Sequence, residues 1–231
     1  MNGPAAVPGN RPAPPLLSVL ESRVLGVLVE KQHTVPDTYP LTLNALTSGC
    51  NQKTSRDPVM SWTEPEVQAV LDHLKTLSLI VESSGGRVMR YAHNVERVIG
   101  VPSQAVALLA TMMLRGPQTI GELRINSDRM HRFADGSAIE AFLHELEGRN
   151  TGALVTELPR QPGARETRWM HLLSGEPAPE PASSITQSHA TEDTTAMEIA
   201  SLKEDVRRLE RELALVKQEV ANLRGASDEK R

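Results

Sequence analysis

One seven-residue pattern occurs twice in this chain, and it limits the possible folds more than any other feature. Residues 87–93 and 165–171 both read Arg-x-x-Arg-aromatic-x-His. Both copies lie near the end of a similar series of predicted helices and strands. We therefore interpret the chain as a tandem duplication of one small domain. Its function has to follow from what two copies of that domain can do.

The first copy is predicted to contain three helices and a β-hairpin. A capping box of Thr63 and Glu66 begins the third helix, after a short second one. Residues 79–93 read as two strands joined by a Ser-Ser-Gly-Gly turn. The first helix is predicted over residues 17–31, where apolar residues at spacings of three and four give one buried face: Leu17, Leu20, Val24, Val27 and Leu28.

The second copy repeats this order. Its second helix begins at a capping box of Thr119 and Glu122, residues 139–146 align with 67–74, and residues 154–172 read as another hairpin. Three helices followed by a hairpin is the winged-helix pattern, a relative of the helix-turn-helix. The sequence thus predicts an α+β fold, mainly α, with two tandem winged-helix domains followed by a C-terminal coiled-coil helix.

Composition sets the predicted boundaries. The first 15 residues contain five prolines, and residues 174–198 contain five acidic residues without Lys or Arg. Such segments do not bury enough apolar surface to fold alone. We predict a disordered leader over 1–15, winged-helix domains over 16–100 and 101–173, a flexible acidic linker over 174–198, a coiled-coil helix over 199–224 and a disordered tail over 225–231.

The tail carries a heptad pattern. Its apolar residues alternate at spacings of three and four without interruption, which favours a parallel coiled-coil homodimer over an amphipathic helix packed on its own globular part. In this register Glu212 faces Lys217 and Glu219 faces Arg224. The predicted dimerisation residues are Ile199, Leu202, Val206, Leu209, Leu213, Val216, Val220 and Leu223.

Several classes of protein are excluded by composition. Cys50 is the single cysteine, so no internal disulfide or cysteine-pair zinc site can form, and a reducing cytoplasm is the simplest location. No apolar stretch approaches the roughly 18 residues of a membrane span. His144 and Glu145 begin like a zinc-protease motif, but Gly148 stands where its second histidine belongs. We predict no enzymatic activity, no metal and no cofactor.

Basic residues cluster outside the predicted third helices. The exposed positions of those helices include several acidic residues, which would repel phosphates, whereas the segments before them and the hairpins carry arginines. Residues 16–173 as a whole are nearly neutral. The predicted nucleic-acid contacts are Lys53, Arg56, Arg87, Arg90, Arg129, Arg132, Arg165 and Arg168.

Two local features allow either a functional or a structural interpretation. Strand alternation places the aromatic residue and the histidine of each seven-residue copy on one face, which could grip a phosphate or pack in the core. We favour packing, because both copies share it. The long connection over residues 50–62 could carry function, or Met60 and Trp62 could close the edge of the core.

The chain resembles the YceH-like family of bacterial proteins. The resemblance covers residues 16–173 and rests on Asn-Gln-Lys-Thr-Ser-Arg-Asp-Pro-Val-Met at 51–60, residues 87–93, Gly-Pro-Gln-Thr at 116–119, Gly-Glu-Leu-Arg at 121–124 and Met-His-Arg-Phe at 130–133. It implies tandem winged helices in a bacterial cytoplasm. The family has no established function, so the resemblance implies no catalytic or binding residues.

Two functions remain open. The first is a dimeric, regulatory DNA-binding protein that contacts mainly the phosphate backbone, and it rests on analogy with other winged helices. The second is a scaffold whose winged helices bind a protein partner, which the neutral globular region and acidic third helices favour. Neither hypothesis involves a membrane.

Overall fold

The computed structural model of this protein describes residues 13–84 and 88–176. Most of the predicted leader, residues 85–87 of the first hairpin, most of the linker and the whole coiled-coil segment lie outside the described residues. All eight predicted dimerisation residues belong to that segment. Residues 1–176 form one of two structural units, and the elements below all belong to it.

The described residues contain two successive series of three helices and a hairpin. The predicted α+β class is confirmed. The first series comprises α1 (Val19–Thr34), β1 (Leu41–Thr42), α2 (Leu43–Cys50), α3 (Glu64–Thr76), β2 (Ile80–Ser83) and β3 (Arg90–His93). A π-helical turn over Glu96–Gly100 leads to the second series, α4 (Ser103–Arg115), α5 (Ile120–Ser127), α6 (Gly136–Glu147), β4 (Val155–Leu158) and β5 (Arg168–His171).

The helices begin where the capping residues predict. The carboxylate of Glu66 accepts a hydrogen bond from the Thr63 backbone N–H at 2.8 Å. Glu122 does the same for Thr119 at 2.8 Å, and the Thr119 hydroxyl accepts from the Glu122 N–H at 3.2 Å. Both predicted capping boxes are confirmed. Because they satisfy free N–H groups of the first turn, they fix the starts of α3 and α5.

The two hairpins have the same strand order. In the first series the antiparallel order is β1-β3-β2, with Leu41 opposite Tyr91 and Ile80 opposite His93. In the second, β4 pairs with β5 and a single bridge joins Gln118 to Trp169 in the position that β1 occupies in the first. Each hairpin is thus tied to the residue or strand that precedes the second helix of its series.

The core is shared between the two series. Helix α1 is buried on all sides from Leu20 to Val29, because it packs on α3 and the first sheet and also on α4. The backbone N–H of Leu17 donates to the Leu173 carbonyl at 2.7 Å, and the Ser22 and Ser174 hydroxyls are 2.7 Å apart. The start of the first series is therefore attached to the end of the second.

A glycine sets how closely α1 and α4 approach. A Cβ atom placed on Gly26 would lie 3.0 Å from Cδ2 and Cγ of Leu114. Helix packing distances depend on the side chains at the contact, so a residue without a side chain permits this crossing.

We expect Gly26→Leu to lower the free energy of unfolding by about 2–3 kcal/mol, because an inserted side chain cannot fit between packed helices. Urea unfolding followed by circular dichroism measures the change. Gly121→Leu is the matched control, since Gly121 is exposed and the nearest atom to its added Cβ is 3.9 Å away. Equal stability of the two variants would contradict the close crossing.

Candidate nucleic-acid interface

Both aromatic residues of the repeated heptapeptide and the histidine of its second copy are buried in the core, while His93 of the first copy is half-buried. Tyr91 and Trp169 are 4% and 2% exposed, and His171 is also buried. The Tyr91 hydroxyl donates to Oε1 of Gln68 at 3.1 Å, while the Trp169 ring makes an edge contact with His144. These contacts join each hairpin to the third helix of its own series. The motif is thus a packing feature, as the structural interpretation predicted, and its buried face is closed to a phosphate.

The two motif histidines are expected to make stability depend on pH. Burial lowers the pKa of both His93 and His171 from 6.5 to about 4. The unfolded chain therefore binds protons more readily below pH 6.5, and the free energy of unfolding falls as the pH decreases from 6.5 towards 4. The full loss is roughly 3 kcal/mol for each histidine at pH 4.

Urea unfolding at pH 7, 6, 5 and 4 tests this dependence. His171→Gln removes one titrating group, so its stability should fall less steeply than that of the wild type over this range. The lowered pKa values of Glu21 and Glu30 contribute mainly below about pH 5, where the unfolded carboxylates take up protons, so they do not produce the slope between pH 7 and 5. An unchanged slope in His171→Gln would exclude the buried histidine as its source.

Arg56 lies inside the protein, so its prediction as a phosphate contact is corrected. Its side chain is 0% exposed. The guanidinium donates to both carboxylate oxygens of Glu30, at 3.1 and 2.7 Å, and its Nε donates to the Gly49 carbonyl at 3.1 Å. A bidentate ion pair of this kind fixes the connection to α1. Phosphates have no access to these donors.

The remaining basic residues predicted in the first series are sparse. Lys53 is exposed on the connection, and Arg87 lies outside the described residues. Arg90 is exposed, but its Nη1 donates to the carbonyls of Thr38 and Pro40 at 3.1 and 2.7 Å. Arg90 therefore ties β3 to the loop before β1. The first series does not assemble a basic surface from the residues that the structure describes there.

The second series brings arginines together at the C-terminal end of α5. Arg124, Asp128 and Arg132 line a concavity of about 520 Å³ beside Phe133. Nε of Arg132 contacts Asp128 at 3.1 Å, but its side chain is 83% exposed. Exposed pairs of this kind contribute little to stability, so the Arg132 guanidinium stays accessible to solvent. Arg129, on the same segment, is also exposed.

A second arginine-lined concavity lies at the N-terminal end of α5. Arg165, Glu166 and Arg168 of the second hairpin line it together with Thr119, which caps the helix, and Gln161. Its volume is about 280 Å³. The Gln118–Trp169 bridge holds the hairpin next to the start of α5. An eight-residue helix is about 12 Å long, so the two concavities are separated by that order of distance along α5. Four arginines therefore flank one short helix: Arg124, Arg132, Arg165 and Arg168.

The third helices present the opposite charge. Glu64, Glu66 and Asp72 are exposed on α3, where Lys75 forms an ion pair with Glu82. Glu140 and Glu145 are exposed on α6, which contains no Lys or Arg. Insertion of either helix into a DNA groove would bring carboxylates towards phosphates. Exposed arginines lie instead around α5 and on the second hairpin.

The connection over residues 50–62 is a packed element. The Asn51 side chain exchanges hydrogen bonds with the backbone of Trp62, at 2.7 and 2.8 Å. Trp62 is half-buried against the core and its Nε1 donates to Sδ of Met60 at 3.1 Å. The Asp57 N–H donates to the Leu114 carbonyl of α4 at 2.8 Å. The connection thus closes the edge of the core and also joins the two series.

Arg124 and Arg23 were not predicted as site residues. Arg124 belongs to the α5 surface, and its spacing of four from Asp128, with Arg132 four further on, was the available signal. Arg23 is buried in α1, and its position among apolar residues gave no signal of a function.

Within residues 13–84 and 88–176 no group of three His, Cys, Asp or Glu side chains is arranged to hold a metal ion. Burial raises the pKa of the Cys50 thiol to about 12, which leaves this cysteine neutral and unreactive. In the same described part of the chain, no helix combines the length and apolar character needed to cross a membrane.

The chain is similar in sequence to bacterial proteins of one family. A family model described as "Protein of unknown function, DUF480" matches residues 17–164. A UPF0502 protein of Dechloromonas aromatica is 57% identical over 200 residues, which cover 87% of this chain and 92% of the relative. A UPF0502 protein of Burkholderia orbicola is 57% identical over 198 residues, covering 86% and 84%, and one of Burkholderia pseudomallei is 58% identical over 206, covering 88% and 86%.

Proposed function

We propose that this chain, which belongs to the DUF480 family of bacterial proteins of unknown function, binds the phosphate backbone of DNA. It would do so as a non-enzymatic, tandem winged-helix protein. Family membership agrees with the resemblance to YceH-like proteins and supplies no activity, so the proposal rests on this chain's own surface. The repeated order of three helices and a hairpin, with the hairpin tied to the residues before the second helix, supports the winged-helix interpretation.

The observation that carries the proposal is the arrangement of arginines around α5. In helix-turn-helix proteins the helix before the recognition helix crosses the DNA backbone. DNA carries one negative charge per roughly 1.7 Å of its axis, so a helix of about 12 Å faces several phosphates. Arginine is well suited to such contacts because its planar donors match phosphate oxygens. The equivalent helix α2 contains no Lys or Arg, so binding should depend mainly on the second series.

Hydrogen exchange of the full chain, with and without a random DNA duplex, tests this surface. Protection should increase in residues 119–132 and 160–168. The outward-facing helices α3 and α6 provide internal controls and should show no change. Protection concentrated in α3 or α6 would instead support insertion of a third helix into the groove and contradict the proposed docking.

Dimerisation through the heptad segment is part of the same proposal. We expect the double substitution Leu209→Glu with Leu213→Glu to convert a dimer into a monomer, because it places four carboxylates in the seam of a paired coil. Sedimentation velocity measures the mass directly. Arg211→Glu is the matched control, since this position faces away from the seam in the predicted register. A wild-type chain that sediments as a monomer at micromolar concentration would contradict the dimer.

A protein-binding scaffold is the second candidate, and the acidic exposed faces of α3 and α6 favour it. On this hypothesis a basic protein segment replaces DNA as the ligand, and the heptad segment sets how many copies bind together. Comparing the partners retained by the full chain and by a chain lacking residues 199–231 tests the role of the tail. Retention of every partner at equal yield would argue against a role of the heptad segment in partner binding.

A further inference from the structure

We propose that Arg23 forms a buried binding site for a small anion with a single negative charge. Arg23 lies in the middle of α1 and is 1% exposed. Its Nη2 donates to the Pro58 carbonyl at 2.8 Å. Its Nε and Nη1 are buried without a hydrogen-bond acceptor among the described residues. Buried polar groups are almost always paired, and an unpaired buried charge is far more costly than an unpaired neutral donor.

Arg56 adds positive charge near Arg23. Burial and the charge of the Arg56 guanidinium both lower the pKa of Arg23 from its usual value. Nearby positive charge adds to the attraction for an anion in a region of low dielectric constant.

The neighbouring groups do not neutralise Arg23. Both carboxylate oxygens of Glu30 accept from Arg56, so this acid is already paired. Asp57 is exposed, where water screens its charge. The Cys50 thiol is neutral because burial raises its pKa to about 12. A water molecule could accept from the free donors, but it would supply no counter-charge.

The site lies where the two series meet. Arg23 belongs to α1, Pro58 belongs to the connection, and the adjacent Asp57 N–H donates to Leu114 at the end of α4. The connection residues Asp57, Pro58 and Val59 are exposed, so the carbonyl that Arg23 contacts belongs to a segment that faces solvent. The close packing favours a small ion or carboxylate group, and its binding would stabilise the contact between the two series.

Thermal unfolding of the full chain tests the site. The chloride concentration is raised from 0 to about 200 mM while the bulky sulfonate HEPES is reduced, so that the ionic strength stays constant. A parallel series uses acetate in place of chloride. Binding to the folded state alone should raise the wild-type Tm by about 3 °C. A rise with chloride alone identifies a halide site, and a rise with acetate identifies a carboxylate site. The absence of a rise with either anion overturns the proposal.

Arg23→Met and a matched control separate this site from general salt effects. Arg23→Met should show no anion-dependent rise, and without chloride it should be at least as stable as the wild type, because methionine fills the space without a buried charge. Arg97→Met changes the net charge equally at an exposed position and should respond to anions like the wild type. An Arg23→Met chain that gains as much stability as the wild type overturns the proposal.

Crystals of the wild-type protein soaked in sodium bromide give a test that does not depend on the variant folding. An anomalous peak within about 3.5 Å of the Arg23 guanidinium nitrogens is expected. A peak there combined with an anion-independent Tm would identify an adventitious ion only and would contradict a functional site. No peak at Arg23 in a protein whose Tm rises with chloride would also contradict it.

Discussion

Reversing the charges of Arg124 and Arg132 together should weaken the binding of a random DNA duplex by about 100-fold at 50 mM salt. Both side chains line the concavity at the end of α5, and both are exposed. Hydrogen bonds to charged groups contribute roughly 1.5–3 kcal/mol each, and the loss of two at the lower value corresponds to about two orders of magnitude in affinity. Introduced glutamates would add repulsion.

The salt dependence gives a second, independent readout of the same variant. Each phosphate contact contributes about 0.9 to the slope of log K against log salt, so the double variant should lose about 2 in the magnitude of this slope. Lys75→Glu with Arg97→Glu is the matched control, because it changes the net charge equally at exposed positions away from α5. Equal loss of affinity in both variants would mean that net charge, and not the surface around α5, causes the loss.

Glu30→Ala should lower the free energy of unfolding by about 3–5 kcal/mol. It would leave Arg56, whose side chain is 0% exposed, without its bidentate partner. Breaking a buried ion pair by removing one partner is strongly destabilising because the other charge stays buried. Urea unfolding at pH 7 measures the loss. Glu96→Ala, at an exposed position, is the control and should change the stability by less than about 0.5 kcal/mol.

The double variant Glu30→Leu with Arg56→Met distinguishes a lost ion pair from a lost side chain. Replacing both partners with apolar residues of similar size removes the buried charge, so much of the stability lost in Glu30→Ala should return. DNA affinity of the folded double variant should equal that of the wild type, since Arg56 does not reach the surface. Weaker DNA binding by this variant would indicate that Arg56 contacts DNA after all.

Local sequence rules predicted the elements well because their causes are local. Capping by Thr63 and Thr119 depends on a residue three positions away, and the strand pattern around Tyr91 and Trp169 depends on alternation. Such signals lie within one short stretch of sequence. They were sufficient for the order of the elements and for the inward direction of the two aromatic residues.

The burial of Arg56 and Arg23 could not be predicted in this way. Arg56 is covered because Glu30, 26 positions earlier, and the Gly49 carbonyl meet it in space. Its position in the basic segment before the third helix predicted a place on the surface. The α1–α4 crossing at Gly26 likewise depends on Leu114, which no local pattern connects to it. The apolar spacing of helix α1 predicted one buried face, whereas the structure buries this helix on all sides.

The most direct measurement is fluorescence anisotropy of a labelled random duplex titrated with the full chain between 50 and 200 mM salt. Five exposed or half-buried arginines around α5 predict a slope of log K against log salt of about −4 or steeper for each bound chain: Arg124, Arg129, Arg132, Arg165 and Arg168. Tight binding at 50 mM that weakens with this slope would establish contact with the phosphate backbone. An absence of binding at 50 mM salt, or a slope near zero, would contradict it and leave the protein-binding scaffold as the function to pursue.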